Sequence, residues 1–228
     1  MVLRSSFGSS RLVRLLGDWA PLDADSRGMD FAERLSLWLN AFDAIRLQAA
    51  HQDLRAIGAA APRAQAPVAS STSIITDEVR RERTALAAAI AYEPVSLGIG
   101  DTADAAGLSY APYRQRHQAL QRQMEQRIGA LREQVRHTLA RASPRLRQLA
   151  TLDAMLEQGL APREQALMPT AATLIERRFE QLRHAQPGGW LESFGREWRQ
   201  ALMAELDLRM QPVAGLIDAL HNELTNPE

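Results

Sequence analysis

The sequence predicts an all-α fold: an elongated antiparallel helical bundle of long amphipathic helices, with N-terminal helices joined to it by a flexible linker. Three observations predict it. Apolar residues recur at steps of three and four over most of the 228 residues. No stretch alternates β-branched and polar residues as a half-buried strand would. And from Tyr110 to about Ala142 a single apolar stripe of Tyr110, Tyr113, Leu120, Met124, Ile128, Leu131, Val135 and Leu139 runs down one helix face. At 1.5 Å per residue that helix is roughly 50 Å long. A rod of that length cannot bury its stripe against itself. It must lie along other long helices, from this chain or another.

Taken in order, Ser9 or Ser10 is placed to cap a short helix carrying Leu12, Val13, Leu15 and Leu16. Gly17 to Gly28 reads as a polar turn that includes Trp19. Asp30 with Glu33 resembles a capping box and opens a helix whose seam is Phe31, Leu35, Trp38, Phe42, Ile45 and Ala49. This is the most coiled-coil-like spacing in the chain. Residues 58–73, rich in Ala, Pro and Ser, read as a flexible linker between an N-terminal helical segment (1–57) and a helical bundle (74–228). A second helix is expected from about Ser73 to Tyr92, and a loop with Gly98 and Gly100 from Glu93 to Leu108. Ser143 and Pro144 end the rod and start the next helix in one stroke, a Ser cap followed by Pro at the first helical position. That helix carries Leu146, Leu149, Leu152, Leu156 and Leu160, with restarts or kinks expected at Pro162 and Pro169. Leu174, Ile175, Phe179 and Leu182 complete its face, and Gln186-Pro-Gly-Gly189 stops it. The last helix, about Trp190 to Leu224, turns Leu191, Phe194, Trp198, Leu202, Leu206, Val213, Ile217, Leu220 and Leu224 to one side, and Pro212 is expected to kink or split it.

Composition narrows the work such a bundle can do. Apolar residues are 46% and charged residues 24%, the balance of a globular chain rather than a disordered one. The formal net charge is zero, so no global basic field holds nucleic acid or a membrane surface. Cysteine is absent, which excludes disulfides and thiolate metal sites and fits a reducing compartment. No run approaches the roughly 18–20 apolar residues that span a bilayer, and Arg11 and Arg14 interrupt the N-terminal apolar stretch. A cytoplasmic protein without membrane insertion is expected.

Charge is nonetheless uneven. Residues 103–147 hold nine arginines against three acids, whereas residues 148–228 hold seven against twelve. All 27 basic residues are arginine, a bias that GC-rich codon usage explains and that bidentate carboxylate or phosphate recognition would also exploit. On the rod, Arg114, Arg122, Arg132 and Arg136 fall on one flank of the stripe, and Arg116, Arg127 and Arg141 on the other. Three partners are open to them: the carboxylates Asp153, Glu157, Glu176, Glu180, Glu192 and Glu197 of the following helices, an acidic protein, or nucleic acid bound along 114–147. The neutral total and the lack of aromatics interleaved with these arginines weigh against the last.

Motifs for chemistry are weak throughout. No two of the five histidines lie three to five residues apart, so no local metal pair exists. Glu133/His137 and Glu180/His184 sit four apart and read as surface helix pairs. Gly98-Ile-Gly100 lacks the third glycine and the preceding strand of a dinucleotide fingerprint. No Walker loop, HExxH or GxSxG occurs. Trp38, Trp190 and Trp198 stand at core-facing positions. No cofactor, metal or catalytic residue is expected.

The stretches FGSSRLVRLL, DFAERLSLWLNAFDAI, YAPYRQRHQALQRQME and SPRLRQLATLDAMLEQ resemble an uncharacterised proteobacterial family, catalogued as domain of unknown function number 3348. The resemblance carries no activity, cofactor or catalytic residue over to this chain. Through gene neighbours that look like ion-driven motor subunits and cell-wall binders, it implies a cytoplasmic accessory of an envelope-associated complex.

The expectation is therefore a non-enzymatic helical adaptor that meets a protein partner, a second copy of itself, or both. Its candidate interaction residues are Arg11, Leu12 and Leu15 at the N-terminus, Phe31, Leu35, Trp38 and Phe42 in the seam, and Arg114, Arg122, Arg132 and Arg136 on the rod. The alternative is a nucleic-acid binder using helix 114–147.

Overall fold

A computed structural model describes residues 11–19, 48, 52, 69–92, 109–185 and 189–225, with 69, 70, 160, 162–170 and 224 described by backbone alone. The helices in this set are α1 (Arg11–Trp19), α2 (Ala69–Ala91), α3 (Ala111–Ala142), α4 (Pro144–Ala185) and α5 (Trp190–Thr225), and no strand occurs among the described residues. The fold is all-α. The seam from Phe31 to Ala49, the Gly98 loop and most of the linker lie outside the described residues.

The described helices fall into two compact units, each assembled from separate stretches: one takes in 11–19, 81–92, 109–129, 167–185 and 189–211, the other 69–80, 130–166 and 212–225. The stretches of the two units alternate along the chain. Long helices that reverse direction bring distant stretches side by side, so compactness does not follow chain order.

In the first unit, parts of α2, α3, α4 and α5 pack around a core of Leu86, Ile90, Tyr113, Leu120, Met124, Phe179, Phe194 and Leu202, among others. Contact order gives the directions. Tyr110 meets Phe194, Tyr113 meets Trp198 and Gln121 meets Glu205, so α3 and α5 advance together and are parallel. Glu82 meets Arg127 while Arg116 reaches the Ala89 carbonyl, so α2 and α3 run in opposite directions. Tyr110, Tyr113, Phe179, Trp190, Phe194 and Trp198 form one aromatic cluster, mostly edge to face at centroid distances of 4.9–6.3 Å. Their quadrupoles favour that geometry over flat stacking.

The second unit buries Ile75 from α2, Leu131, Val135 and Leu139 from α3, Leu146 and Ala150 from α4, and Val213, Leu216, Ile217 and Leu220 from α5. The tight α3–α4 reversal is built as its sequence suggests. Ser143 Oγ accepts a hydrogen bond from the Leu146 N–H at 3.1 Å, and Pro144 occupies the first helical position, where a missing N–H costs nothing. Arg147 Nε donates to the Ala140 carbonyl at 3.0 Å and so closes the open end of α3.

Several expectations need correction. α2 begins at Ala69, inside the stretch read as linker. Thr72 and Ile75 are buried, and that packing extends the helix upstream of its weak propensity. α1 runs on through Gly17 to Trp19, past the expected turn. α4 continues through Pro162 and Pro169, and α5 through Pro212. Proline deprives the carbonyl four residues earlier of its partner. For Pro162 and Pro212 those residues are Gln158 and Leu208, both on exposed positions where water can replace the lost bond. Finally, α4 is rotated from its predicted orientation: Leu146, Ala150 and Asp153 are buried, Leu149 and Leu152 are half-buried, and Leu156 is 42% exposed.

Candidate interaction surfaces

The rotation of α4 has its cause in charge. Asp153 and Glu157 lie on the side of α4 that meets Arg132 and Arg136 of α3. Arg132 embraces Asp153 in bidentate fashion, with Nε and an Nη donating to its two oxygens at 2.8 and 2.6 Å, and bonds Glu157 at 3.1 Å. Arg136 donates to Asp153 at 3.1 Å, to Glu157 at 2.6 Å and to Glu133 on its own helix at 2.6 Å. The two guanidiniums are only 15% and 12% exposed and Asp153 only 11%, so this is a largely desolvated network. Burial acts to lower the Arg136 pKa, but its bonds to Glu157 and Glu133 outweigh that and hold it above the usual range. A network that dry is costly to leave half-made, and it sets the face α4 presents. The leucines at 149, 152 and 156 are displaced to its flank.

Three of the other rod arginines are also engaged by this chain. Arg114 pairs with Glu176 of α4 and lies over the Tyr110 ring, 5.5 Å from its centroid. Arg127 donates to Glu82 of α2 at 2.7 Å, a partner the sequence reading did not name. Its pKa is raised, chiefly by that hydrogen bond. Arg116 bonds the Ala89 carbonyl at the end of α2 at 2.9 Å. Arg122 and Arg141 stand exposed. Of the expected carboxylates, Asp153, Glu157 and Glu176 meet the rod. Glu197 instead holds Arg178 at 2.7 and 2.8 Å, and Glu180 holds Arg183 at 2.6 Å. His184 lies 3.7 Å from Glu180, an exposed pair of the kind expected, whereas Glu133 turns to Arg136.

The N-terminal candidates share one short helix. On α1, Leu12, Leu15, Leu16 and Trp19 fall within a third of the helix circumference, with Arg11 and Asp18 beside them and Arg14 further round. Arg11 is exposed, Leu12 and Leu15 are half-buried, and no residue of α1 is buried. Phe31, Leu35, Trp38 and Phe42 lie outside the described residues.

One core residue escaped the sequence reading. The rod's stripe steps by seven from Tyr113 to Leu120, and the position skipped is His117. It is 2% exposed, its ring lies 6.4 Å from that of Trp198, and neither ring nitrogen has a hydrogen-bond partner. Trp198 Nε1 and Tyr110 Oη, in the same cluster, are likewise buried without partners. Close by along α3 and α5, Gln121 donates to both oxygens of buried Glu205 at 3.2 Å, and Arg209 donates to the same carboxylate at 2.9 Å. Burial lowers the His117 pKa, Glu205 pulls it back up, and Arg209 adds to the lowering. The seven-residue gap was the available signal, since a polar residue at that phase must enter the core.

Among the described residues, no group of three or more His, Cys, Asp or Glu side chains is placed to hold a metal ion. No described helix is long and apolar enough to cross a membrane.

These features define the class: an all-α helical-bundle protein in which Arg114, Arg127, Arg132 and Arg136 of the rod are drawn into the chain's own ion pairs. The sequence pattern of the family described as "Protein of unknown function (DUF3348)" matches residues 1–222, and the chain belongs to this family. No characterised protein and no solved structure matches the chain.

Proposed function

We propose that this protein is a non-enzymatic helical adaptor, acting in the cytoplasm as an accessory of an envelope-associated complex. The observation that carries the reading is α1. Four large apolar residues, Leu12, Leu15, Leu16 and Trp19, share one face of nine residues, and none of them is buried. An amphipathic helix of about two and a half turns whose apolar face is only partly covered is suited to a groove on another protein, or on a second copy. The half-open leucines of α4 at 149, 152 and 156 offer a further strip of the same character. The cytoplasmic and envelope assignments rest on the absence of cysteine and on the family resemblance.

The rival reading, nucleic-acid binding along 114–147, needs arginines with charge to spare. Arg114, Arg127, Arg132 and Arg136 are each paired with a carboxylate of this chain, which ranks that reading second. Two measurements separate the readings. A photocrosslinker at residue 12 or 15 in the native cell should join the chain to protein, and Leu16→Glu should abolish the adduct. Binding to mixed-sequence DNA and RNA should be negligible at low salt. Strong, steeply salt-dependent binding with no protein adduct would replace the adaptor by the nucleic-acid reading.

A further inference from the structure

A histidine fully enclosed in an aromatic core, with both nitrogens unbonded, is a poor choice for stability alone. Each buried polar group without a partner costs desolvation energy, and an apolar side chain of similar volume would avoid that cost. His117 is tolerated because the neutral imidazole behaves as a flat packing group against Trp198. Its charged form has no such place. The charged groups that act on it both come from α5: Glu205, already occupied by Gln121 and Arg209, and Arg209 itself, which repels it. The side chains that α2 and α4 bury in this unit, Leu86 and Ile90 from one and Ile175, Phe179 and Leu182 from the other, carry no charge.

We propose that His117 is an acid-operated latch between α3 and α5 of the first unit: neutral, it packs against Trp198; protonated, it parts the two helices locally and bares the surrounding aromatic cluster. The proton enters from water and stays on the imidazole, so no other reactant is needed. The opening begins near Tyr113, Phe194 and Trp198, the rings on the His117 side of the cluster. Its direction follows from linkage. The unfolded or opened chain binds a proton at the ordinary histidine value of about 6.5, while the closed form binds one only at lower pH. The closed form is therefore fully favoured above about pH 6.5 and loses ground below it, by at most tenfold in the opening equilibrium per pH unit.

Amide hydrogen exchange on the full chain at pH 7.5 and 5.5, corrected for intrinsic rates, is the test. Acid should speed exchange selectively in 113–124 of α3 and 194–205 of α5, by up to about tenfold per pH unit, relative to the second unit. His117→Gln, which keeps a polar planar group but cannot be charged, should remove the selective acid response. His137→Gln and His184→Gln, at exposed positions, should leave it intact. Should His117→Gln fail to fold, the wild-type His117 ring resonances serve instead, with titration expected below 6.5 and tracking the exchange. Titration at or above 6.5, an acid response spread evenly over both units, or one that survives in His117→Gln would overturn the proposal.

Discussion

At the scale of single residues, buried polarity in this protein follows two regimes. Where partners exist, charge is taken deep: Asp153 sits between two arginines and is buried with them. Replacing Asp153 by Ala leaves Arg132 and Arg136 to share Glu157, which should cost about 2–3 kcal/mol in a urea titration. The exposed pair Arg80–Asp77 is the control, and Asp77→Ala should change stability by no more than about 0.5 kcal/mol. Where partners do not exist, the group is kept neutral. Burial, reinforced by Glu176 and opposed by Arg114, pushes the Tyr110 phenol up to about 12. Because the folded value exceeds the unfolded 10.0, its neutral form supports the fold up to about pH 10, and that support is lost between pH 10 and 12. Absorbance of tyrosinate should show a step near pH 12 that is missing from Tyr110→Phe. Tyr110→Phe, which removes an unpartnered hydroxyl, should unfold at the same urea concentration as wild type or slightly higher, and should shift loss of structure to more alkaline pH. A drop of more than about 1 kcal/mol would reveal a hydrogen bond to that hydroxyl.

At the scale of elements, helix ends and interruptions are controlled by a few identifiable groups. Ser143 caps α4, and Ser143→Ala should cost about 1 kcal/mol. Gly129, inside α3, has open space where a Cβ would stand, so Gly129→Ala should stabilise by about 0.5–1 kcal/mol, measurable as a rise in urea midpoint. A loss on Gly129→Ala would mean that the glycine serves a contact or motion of α3 not explained by packing. Much of this scale was legible in the chain. The stripe of α3 is buried at every position named for it, from Tyr110 to Leu139, because a 3.6-residue period leaves little choice of face. The Ser143–Pro144 junction was equally plain, since its chemistry is local. What escaped was decided by tertiary context. The rotation of α4 depends on which α3 residues face it, and a row of leucines outvotes two carboxylates in any local reading. The persistence of helix through Pro162, Pro169 and Pro212 depends on packing of the flanking turns and on where the freed carbonyl points. His117 was hidden because a stripe defined by apolar letters skips a polar residue, even one at the right phase.

At the scale of the whole molecule, charge and function are tied together. The uneven halves of the sequence, arginine-rich 103–147 and acid-rich 148–228, meet as neighbouring helices within each unit. A basic helix that looked available to an outside polyanion thus spends Arg114, Arg127, Arg132 and Arg136 internally, and the half-buried apolar face of α1 is the surface we propose for a protein partner. The N-terminal seam of Phe31, Leu35, Trp38 and Phe42 lies outside the described residues, so α1, Leu149, Leu152 and Leu156 bear the interaction reading. Self-assembly and partner binding are separable by light scattering after size-exclusion chromatography. If α1 docks on a second copy, Leu12→Glu with Leu15→Glu should turn a dimer into a monomer while helix content is unchanged. If it docks on another protein, both forms should have the same mass.

The central claim, that α1 is a protein-docking helix, is met most directly by photocrosslinking from residue 12 or 15 in the native cell, with Leu16→Glu as comparison. The account predicts a discrete protein adduct, either a second copy or one other polypeptide, that disappears in the variant. A chain that stays uncrosslinked at both positions, or an adduct unchanged by Leu16→Glu, would contradict it.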